Sequence, residues 1–273
     1  MSTSLRETLT ASLLPTRWRR VEVVDTTGST NADLAARAAA GEPDGTVIVA
    51  LHQSAGRGRF DRRWEAPPGA ALATSVLVRT NRPMGDWTWL PLLTGVAVLR
   101  GIRAAATRAG VSSEVLDRLE LKWPNDVLVR GDVQVTGAGK LCGILCERHV
   151  TPDGAAAVIG FGINTTLTAD QLPVPTATSL ALAGIDVDPA ELLTGVLTEL
   201  ADLLAVWDER GHLRQDYSEV CGSLGAEVRV MVSETEQVVG VGESIDPSGR
   251  LVVRTATGPR AFSAGDVVHL RRP

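Results

Sequence analysis

The pattern of this chain changes at Cys221-Gly222, and that change limits the fold more than any other feature. Beyond it, AEVRVMVS, QVVGVGESI, RLVVRTA and RAFSAGDVVHLRR read as four or five short alternating strands. They are separated by turn signals such as Asp246-Pro247-Ser248-Gly249. About 50 residues of this kind predict a small β-barrel. Before the change, helical and strand patterns mix without the regular βαβ alternation of a doubly wound fold. The expectation is α+β, with a mixed, largely antiparallel sheet carrying helices. The expected divisions are an N-terminal extension (1–19), a main domain (20–221) and a small β domain (222–273).

Local patterns fill in the main domain. VEVVDTT (21–27), TVIVALHQ (46–53) and ALATSVLVRT (71–80) read as strands. STNADLAARAAA (29–40) reads as a helix whose Thr30 and Asp33 have capping-box spacing. Residues 87–109 carry apolar positions at helical spacing and stop at Gly110, a C-cap residue. LELKW and DVLVR form a hairpin around Pro124, and KLCGILCERHV (140–150) and AAAVIGFGINTT (155–166) are two central strands. A long helix is expected from Pro189 to about Val220. Residues 1–19 read as irregular and too short for a helix-turn-helix unit, so no DNA binding is expected.

With 273 residues and 44% hydrophobic content, a sizeable core is available. A formal net charge of −5 argues against a nucleic-acid or membrane-surface coat. No run of about 18 purely apolar residues and no leader pattern stand out, so a cytoplasmic protein is expected. Three cysteines, Cys142, Cys146 and Cys221, are an odd number and suit a reducing compartment. Cys142, Ile144 and Cys146 share one face of a strand as small apolar residues, and zinc would need more ligands than His149 and Glu147 offer.

Four motifs carry candidate chemistry. HQSAGRGRFDRRW (52–64) alternates Gly56 and Gly58 with Arg57 and Arg59 and ends at Trp64. Glycines let backbone approach a ligand, and guanidinium groups match phosphate or carboxylate, although a solvated loop has the same composition. It is not a dinucleotide fingerprint, and TGAGK (136–140) is not a P-loop. KWPND (122–126) supplies a cation, an aromatic, a turn and a carboxylate suited to Mg²⁺; Asn-Asp is also ordinary turn chemistry. Lys140 opens an apolar strand and either snorkels at its end or points into a pocket. In GFGINTT, Gly160 and Gly162 imply close approach by other atoms, with Asn164 at the far end. His52 can act as a base or sit structurally beside a buried strand. Several cations, one carboxylate and no Ser-His-Asp or Cys-His arrangement point to nucleotide-dependent chemistry on a small carboxylate.

TGSTNADL, HQSAGRGRF, LKWPNDVLV, GKLCGILCE and GFGINTT occur in that order and together resemble the biotin protein ligase family, over about residues 20–270. The resemblance implies a catalytic domain similar to class II aminoacyl-tRNA synthetases and an SH3-like C-terminal barrel. It implies a two-step reaction with ATP and biotin as substrates and Mg²⁺. Biotin and ATP give biotinyl-5′-AMP, and a lysine of a biotin carboxyl carrier domain then takes the biotinyl group. Arg57, Arg59, Lys122, Asp126 and Lys140 would be catalytic, with Asp126 serving the metal and the acceptor lysine. Ser29, Thr30, Asn31, Gln53, Gly56, Arg57, Gly58, Arg59, Lys140 and Gly143 would bind biotin. Arg57, Arg59, Trp64, Lys122, Asn125 and Asn164 would bind ATP. A monomer or weak homodimer is implied, with no nucleic-acid or membrane partner.

Two departures stand out. Phe60-Asp61 follow GRGR where relatives carry basic residues or glycine, and residues 131–139 form a longer Gly-rich insert. The rival readings are a lipoate or octanoate ligase, which the intact GRGR and KWPND argue against, and a biotin-sensing binding protein, which would not need Lys122 or Asp126.

Overall fold

The structure, a computed structural model, describes residues 2–14, 16–131, 137–233 and 235–271. A seven-stranded sheet forms the centre, built from β1 (Arg20–Val24), β2 (Thr46–Ala50), β3 (Ala71–Val78), β4 (Leu119–Lys122), β5 (Asp126–Arg130), β6 (Ala138–Thr151) and β7 (Gly154–Asn164). Their order is β1-β2-β3-β7-β6-β5-β4. Only the β1–β2 pair is parallel, so the sheet is mixed and largely antiparallel, as the absence of βαβ alternation predicted.

The two faces of this sheet have different fates, and β7 shows why. Its odd positions Ala157, Ile159, Phe161 and Ile163 join the main core, where α3 (Trp89–Arg108) and α5 (Pro189–Arg210) pack. Its even positions face the other way. Ala156 and Val158 lie under α2 (Thr30–Ala39) with Leu34, Ala38, Ile48 and Leu77. Farther along, Gly160 and Gly162 have no side chains to cover the sheet, and the strand ends at Asn164. Alternation thus leaves a trench beyond the N-terminus of α2.

Several sequence expectations need correction. Residues 2–13 are a helix, α1 (Ser2–Leu13), not irregular chain, because Leu5, Leu9 and Leu13 form a buried stripe at fourfold spacing. The N-cap of α2 is Ser29, whose hydroxyl accepts from the Ala32 N–H, and not Thr30. Thr30 and Asp33 instead bond to Gln53 and to the Thr27 hydroxyl. The helix from Pro189 stops at Arg210, because Gly211 adopts φ +79° and closes the C-terminus; α6 (Arg214–Ser218) is separate. Gly110, also at φ +79°, lies just past α3 as expected. The segment Met84–Arg108, which includes α3, is long and apolar enough to cross a membrane, against the sequence reading, but 72% of its apolar window is buried in the core. A one-turn helix, α4 (Ser113–Leu116), leads into β4.

The C-terminal strands β8 (Glu227–Met231), β9 (Gln237–Ile245), β10 (Leu251–Thr255), β11 (Gly258–Phe262) and β12 (Asp266–Arg271) form an antiparallel SH3-like sheet in the order β11-β10-β9-β8-β12. The Asp246–Gly249 turn is clasped by two tryptophans of the main domain. Trp89 Nε1 donates to the Pro247 carbonyl at 2.9 Å and Trp123 Nε1 to that of Gly249 at 3.0 Å. Both indoles are buried, so each polar edge is satisfied inside the joint. The cysteines are free; burial pushes the Cys142 thiol up to about 12 and the Cys221 thiol to about 11, which leaves them inert core residues.

Candidate active site

The trench divides into a narrow and a wide cleft that meet at Arg59, Asn125 and Lys140. Their volumes, counted to the open mouth, are about 500 and 1950 Å³.

The narrow cleft starts at the N-terminus of α2. Ser29 spends its oxygen on the helix cap, which leaves its hydroxyl proton to donate. The Gln53 carbonyl oxygen accepts from the Thr30 N–H at 2.7 Å and lies 3.0 Å from the Thr30 hydroxyl. That orients the amide and places its NH₂ beside Gly56. Behind them the Ser75 hydroxyl lies 2.7 Å from Thr30 Oγ1 and 2.6 Å from Asn31 Oδ1. Asn31 Nδ2 donates to the Leu145 carbonyl at 3.2 Å and to Glu147 at 2.8 Å. Asn31 is thereby held on both sides of its amide. The result is a compact, uncharged donor array at the positive end of a helix dipole. It suits a polar ring with a carbonyl acceptor.

Gly160 and Gly162 make room for this wall. A Cβ at Gly160 would collide with the Asn31 carboxamide, and one at Gly162 with the Trp64 indole. The close approach inferred from the sequence is therefore made by two side chains of the protein itself.

The arginine loop is a small folded ribbon across the trench. Gly58 N–H bonds to the Arg62 carbonyl and Trp64 N–H to that of Gly56. Phe60 sits at its tip with φ 57°, 62% exposed, and the Arg59 guanidinium lies 4.9 Å from its ring centroid. The two arginines point to different ends. Arg57 reaches both Glu147 oxygens, at 3.1 and 3.2 Å. Arg59 donates to Asn125 Oδ1 at 2.8 Å and to the Gly265 carbonyl at 3.1 Å. Burial lowers the Arg59 pKa, opposed by the charges of Asp126 and Asp266. Arg62 adds an ion pair to Asp266 at 2.5 Å. The loop thus closes onto the C-terminal sheet as well as the main domain.

The wide cleft holds the charge cluster. Lys122 Nζ lies 2.9 Å from Asp126 Oδ2, and Lys140 Nζ lies 2.6 Å from Oδ1. Burial pushes the Asp126 carboxyl up, but Lys122 and Lys140 more than offset it and hold the group down at about 2. Asn125 Nδ2 bonds to the Ile144 carbonyl, and Asn164 Nδ2 to that of Thr178, so both amides are fixed at the cleft wall.

Lys140 owes its place to a β-bulge. Straight alternation would put it on the core face with Cys142 and Ile144. The β5–β6 register runs Asp126↔Gly143, Val127↔Cys142, Leu128↔Lys140, so Leu141 is an extra residue on β6. The bulge turns Lys140 to the face of Asp126 and Gly143. Between snorkelling and pocket, the structure selects the pocket.

Every site residue named from the sequence lies at one cleft or the other except Gly56, which packs against Trp64 and Gln53. Sequence reasoning missed Ser75, Glu147 and Asp266. Glu147 was visible as a charge at the end of the GKLCGILCE string; Ser75 and Asp266 carry no local signal. The 131–139 insert falls partly on residues 132–136, outside the described residues. For a resident magnesium, the donor set is one carboxylate whose two oxygens are each paired with a lysine. Among the described residues no three acidic, histidine or cysteine groups converge. These residues do not fit a metal site of their own.

Residues 23–164 match the biotin/lipoate A/B protein ligase family, and residues 223–270 the biotin protein ligase C terminal domain. A biotin–[acetyl-CoA-carboxylase] ligase of Mycobacterium tuberculosis is 41% identical over 93% of this chain and 90% of its own length. One from Paracoccus denitrificans is 32% identical over 88% of this chain and 97% of its own. The biotin protein ligase from Aquifex aeolicus in complex with biotin and ATP superposes with a TM-score of 0.69. It covers 93% of this chain and all of its own at 22% identity, a likeness of fold.

Proposed function

Because the chain belongs to the biotin/lipoate A/B protein ligase family, we propose that it is the ligase that activates biotin with ATP to biotinyl-5′-AMP and passes the biotinyl group to a lysine of a biotin carboxyl carrier domain. The observation that carries this reading is the junction of the two clefts. A neutral donor array ends there at a cluster of lysines around one carboxylate. Its three reduced cysteines suit the cytoplasm, where ATP is at hand.

In the first step the biotin carboxylate attacks the α-phosphorus of ATP and pyrophosphate leaves. Ser29, Thr30 and Gln53 orient the ureido ring in the narrow cleft, and the carboxylate lies toward Lys140. Two anions must meet there. Lys140, Lys122 and Arg59 offset their repulsion as fixed charges that need no reorganisation, and MgATP brings its own cation as part of the substrate. Trp64, Asn125 and Asn164 form the nucleotide's wall. In the second step the acceptor amine attacks the biotinyl carbonyl, AMP leaves, and the proton lost on amide formation passes to solvent. An acceptor lysine of reference pKa about 10.4 arrives as ammonium and gives one proton to solvent to become the attacking amine. Asp126, at about 2, is too weak a base to deprotonate it and serves instead as the charge that receives it.

The test is exchange of labelled pyrophosphate into ATP, dependent on biotin, with lipoate as control. Exchange with biotin alone supports the reading. Exchange with lipoate alone moves the chain to the lipoate branch.

A further inference from the structure

We propose that Glu147 is a positioning residue for the biotin end of the site: it latches Arg57 across the narrow cleft and fixes Asn31 behind it, and so sets biotin affinity rather than the rate of adenylation. This rests on the function proposed above. After the bulge at Leu141, residues Gly143, Leu145 and Glu147 of β6 face the trench. One end of that strand face therefore carries the cation Lys140 and the other the anion Glu147. They are seven residues apart, roughly 20 Å along a strand.

Three elements converge on the Glu147 carboxylate. Arg57 comes from the loop at 3.1 Å, Asn31 from α2 at 2.8 Å, and Glu147 itself from β6. Gly160 leaves the space that Asn31 occupies. Asn31 is only 5% exposed and its Oδ1 is engaged by Ser75, so it has no freedom to follow a moving partner. Glu147 is consequently held from behind, and Arg57 is the member that can release. An Arg57 anchored there is held at the end of the strand opposite Lys140. Its job is to pin the loop over the neutral end, while Arg59 serves the charged end. The Arg57 side chain is 48% exposed, so the pair is screened by salt and opens easily. That suits a latch which must admit biotin.

The test uses Glu147→Gln, Arg57→Ala and the double variant on the full chain. Glutamine keeps a carbonyl acceptor for Asn31 Nδ2 but removes the charge, so the fold is retained, with melting temperature as the check. Each single variant should raise the biotin Kd and the biotin KM by about three- to tenfold. In Glu147→Gln the kcat at saturating biotin and the KM for ATP should change by less than about twofold, and the double variant should raise the biotin Kd no more than the weaker single. Wild-type biotin Kd should rise with added salt, and that of Glu147→Gln should not. Unchanged biotin affinity in Glu147→Gln, a fall in kcat at constant KM, or additive losses in the double variant would each overturn the latch. Wild-type protein that neither binds biotin nor exchanges pyrophosphate with it would instead overturn the functional reading beneath it.

Discussion

Arg57 and Arg59 are two residues apart on one loop, yet they reach ends of the site built on opposite principles. At the narrow end, beside the Arg57–Glu147 ion pair, the side chains are neutral and each is fixed by a neighbour: Ser29 by the helix cap, Gln53 by the Thr30 N–H, Asn31 by Ser75, Leu145 and Glu147. At the wide end, charge is concentrated around Asp126. The difference matches two tasks. A neutral ring is recognised by hydrogen bonds whose donors cannot turn away, because a buried unpaired polar group costs about 1–3 kcal/mol. Reacting anions are brought together by pre-oriented cations. The loop spans both ends, with one arginine bonded at each.

Variants should separate the ends, and the largest effect belongs at the wide one. Lys140→Ala removes a cation from the junction and leaves Asp126 with Lys122 alone. The rate of biotin-dependent pyrophosphate exchange should fall about a hundred- to a thousandfold, as for other pre-oriented charge stabilisers. Near-normal exchange in a folded variant would dissolve the distinction between the ends. Next come the two glycines of β7. Alanine at Gly162 pushes against Trp64, and alanine at Gly160 against Asn31. Each overpacking should cost about 1–3 kcal/mol. Gly162→Ala should weaken ATP more than biotin, and Gly160→Ala the reverse, by titration calorimetry. Equal losses of both ligands in both variants would mean the trench is one site without internal division.

Arg59→Ala is expected to act more selectively. It should weaken a non-hydrolysable biotinyl-AMP analogue by about one to two powers of ten while leaving biotin binding nearly unchanged. Arg59 also anchors the loop to Asn125 and to the Gly265 carbonyl, so its loss should let the adenylate escape. Biotin should then appear on the lysines of a bystander protein, detectable by blotting. Equal losses for both ligands with a clean bystander would reduce the loop to a simple biotin clamp.

The contiguous motifs were legible because each packs its chemistry into a few residues. TGSTN becomes a helix N-terminus, KWPND a hairpin turn, and GFG a bare strip of sheet. What could not be read is what joins distant segments or breaks a regular period. The bulge at Leu141 defeats simple alternation, and without it Lys140 would be assigned to the core face. The contacts of Arg59 and Arg62 with Gly265 and Asp266 span about two hundred residues, so the loop looked like a free cationic arm. Helix α1 was missed because its buried stripe is only three leucines in a polar stretch. Glu147 sat in plain view, but its partners Arg57 and Asn31 lie far off in sequence.

The smallest expected effect is that of neutral and mildly acidic pH on the wide end, and it tests whether the cluster is a preformed charge assembly. The Asp126 carboxyl is held at about 2 against an ordinary value of 3.8. A carboxyl whose folded pKa is depressed contributes stability at all pH above its unfolded value. That stability is lost as pH falls through the folded value. The difference in unfolding free energy between wild type and Asp126→Asn should therefore stay constant from about pH 8 to pH 4. Below that it should shrink, over a window ending near pH 2. The Asp126 contribution lost there is on the order of 2 kcal/mol, from 1.36 kcal/mol per pKa unit. Denaturant titrations of both proteins at stepped pH give the difference directly, and other carboxylates cancel in it. If it shrinks already between pH 7 and 5, Asp126 takes up a proton in that range. The lysines would then not be holding it ionised, and the wide end would have to gather its charge only when substrate arrives.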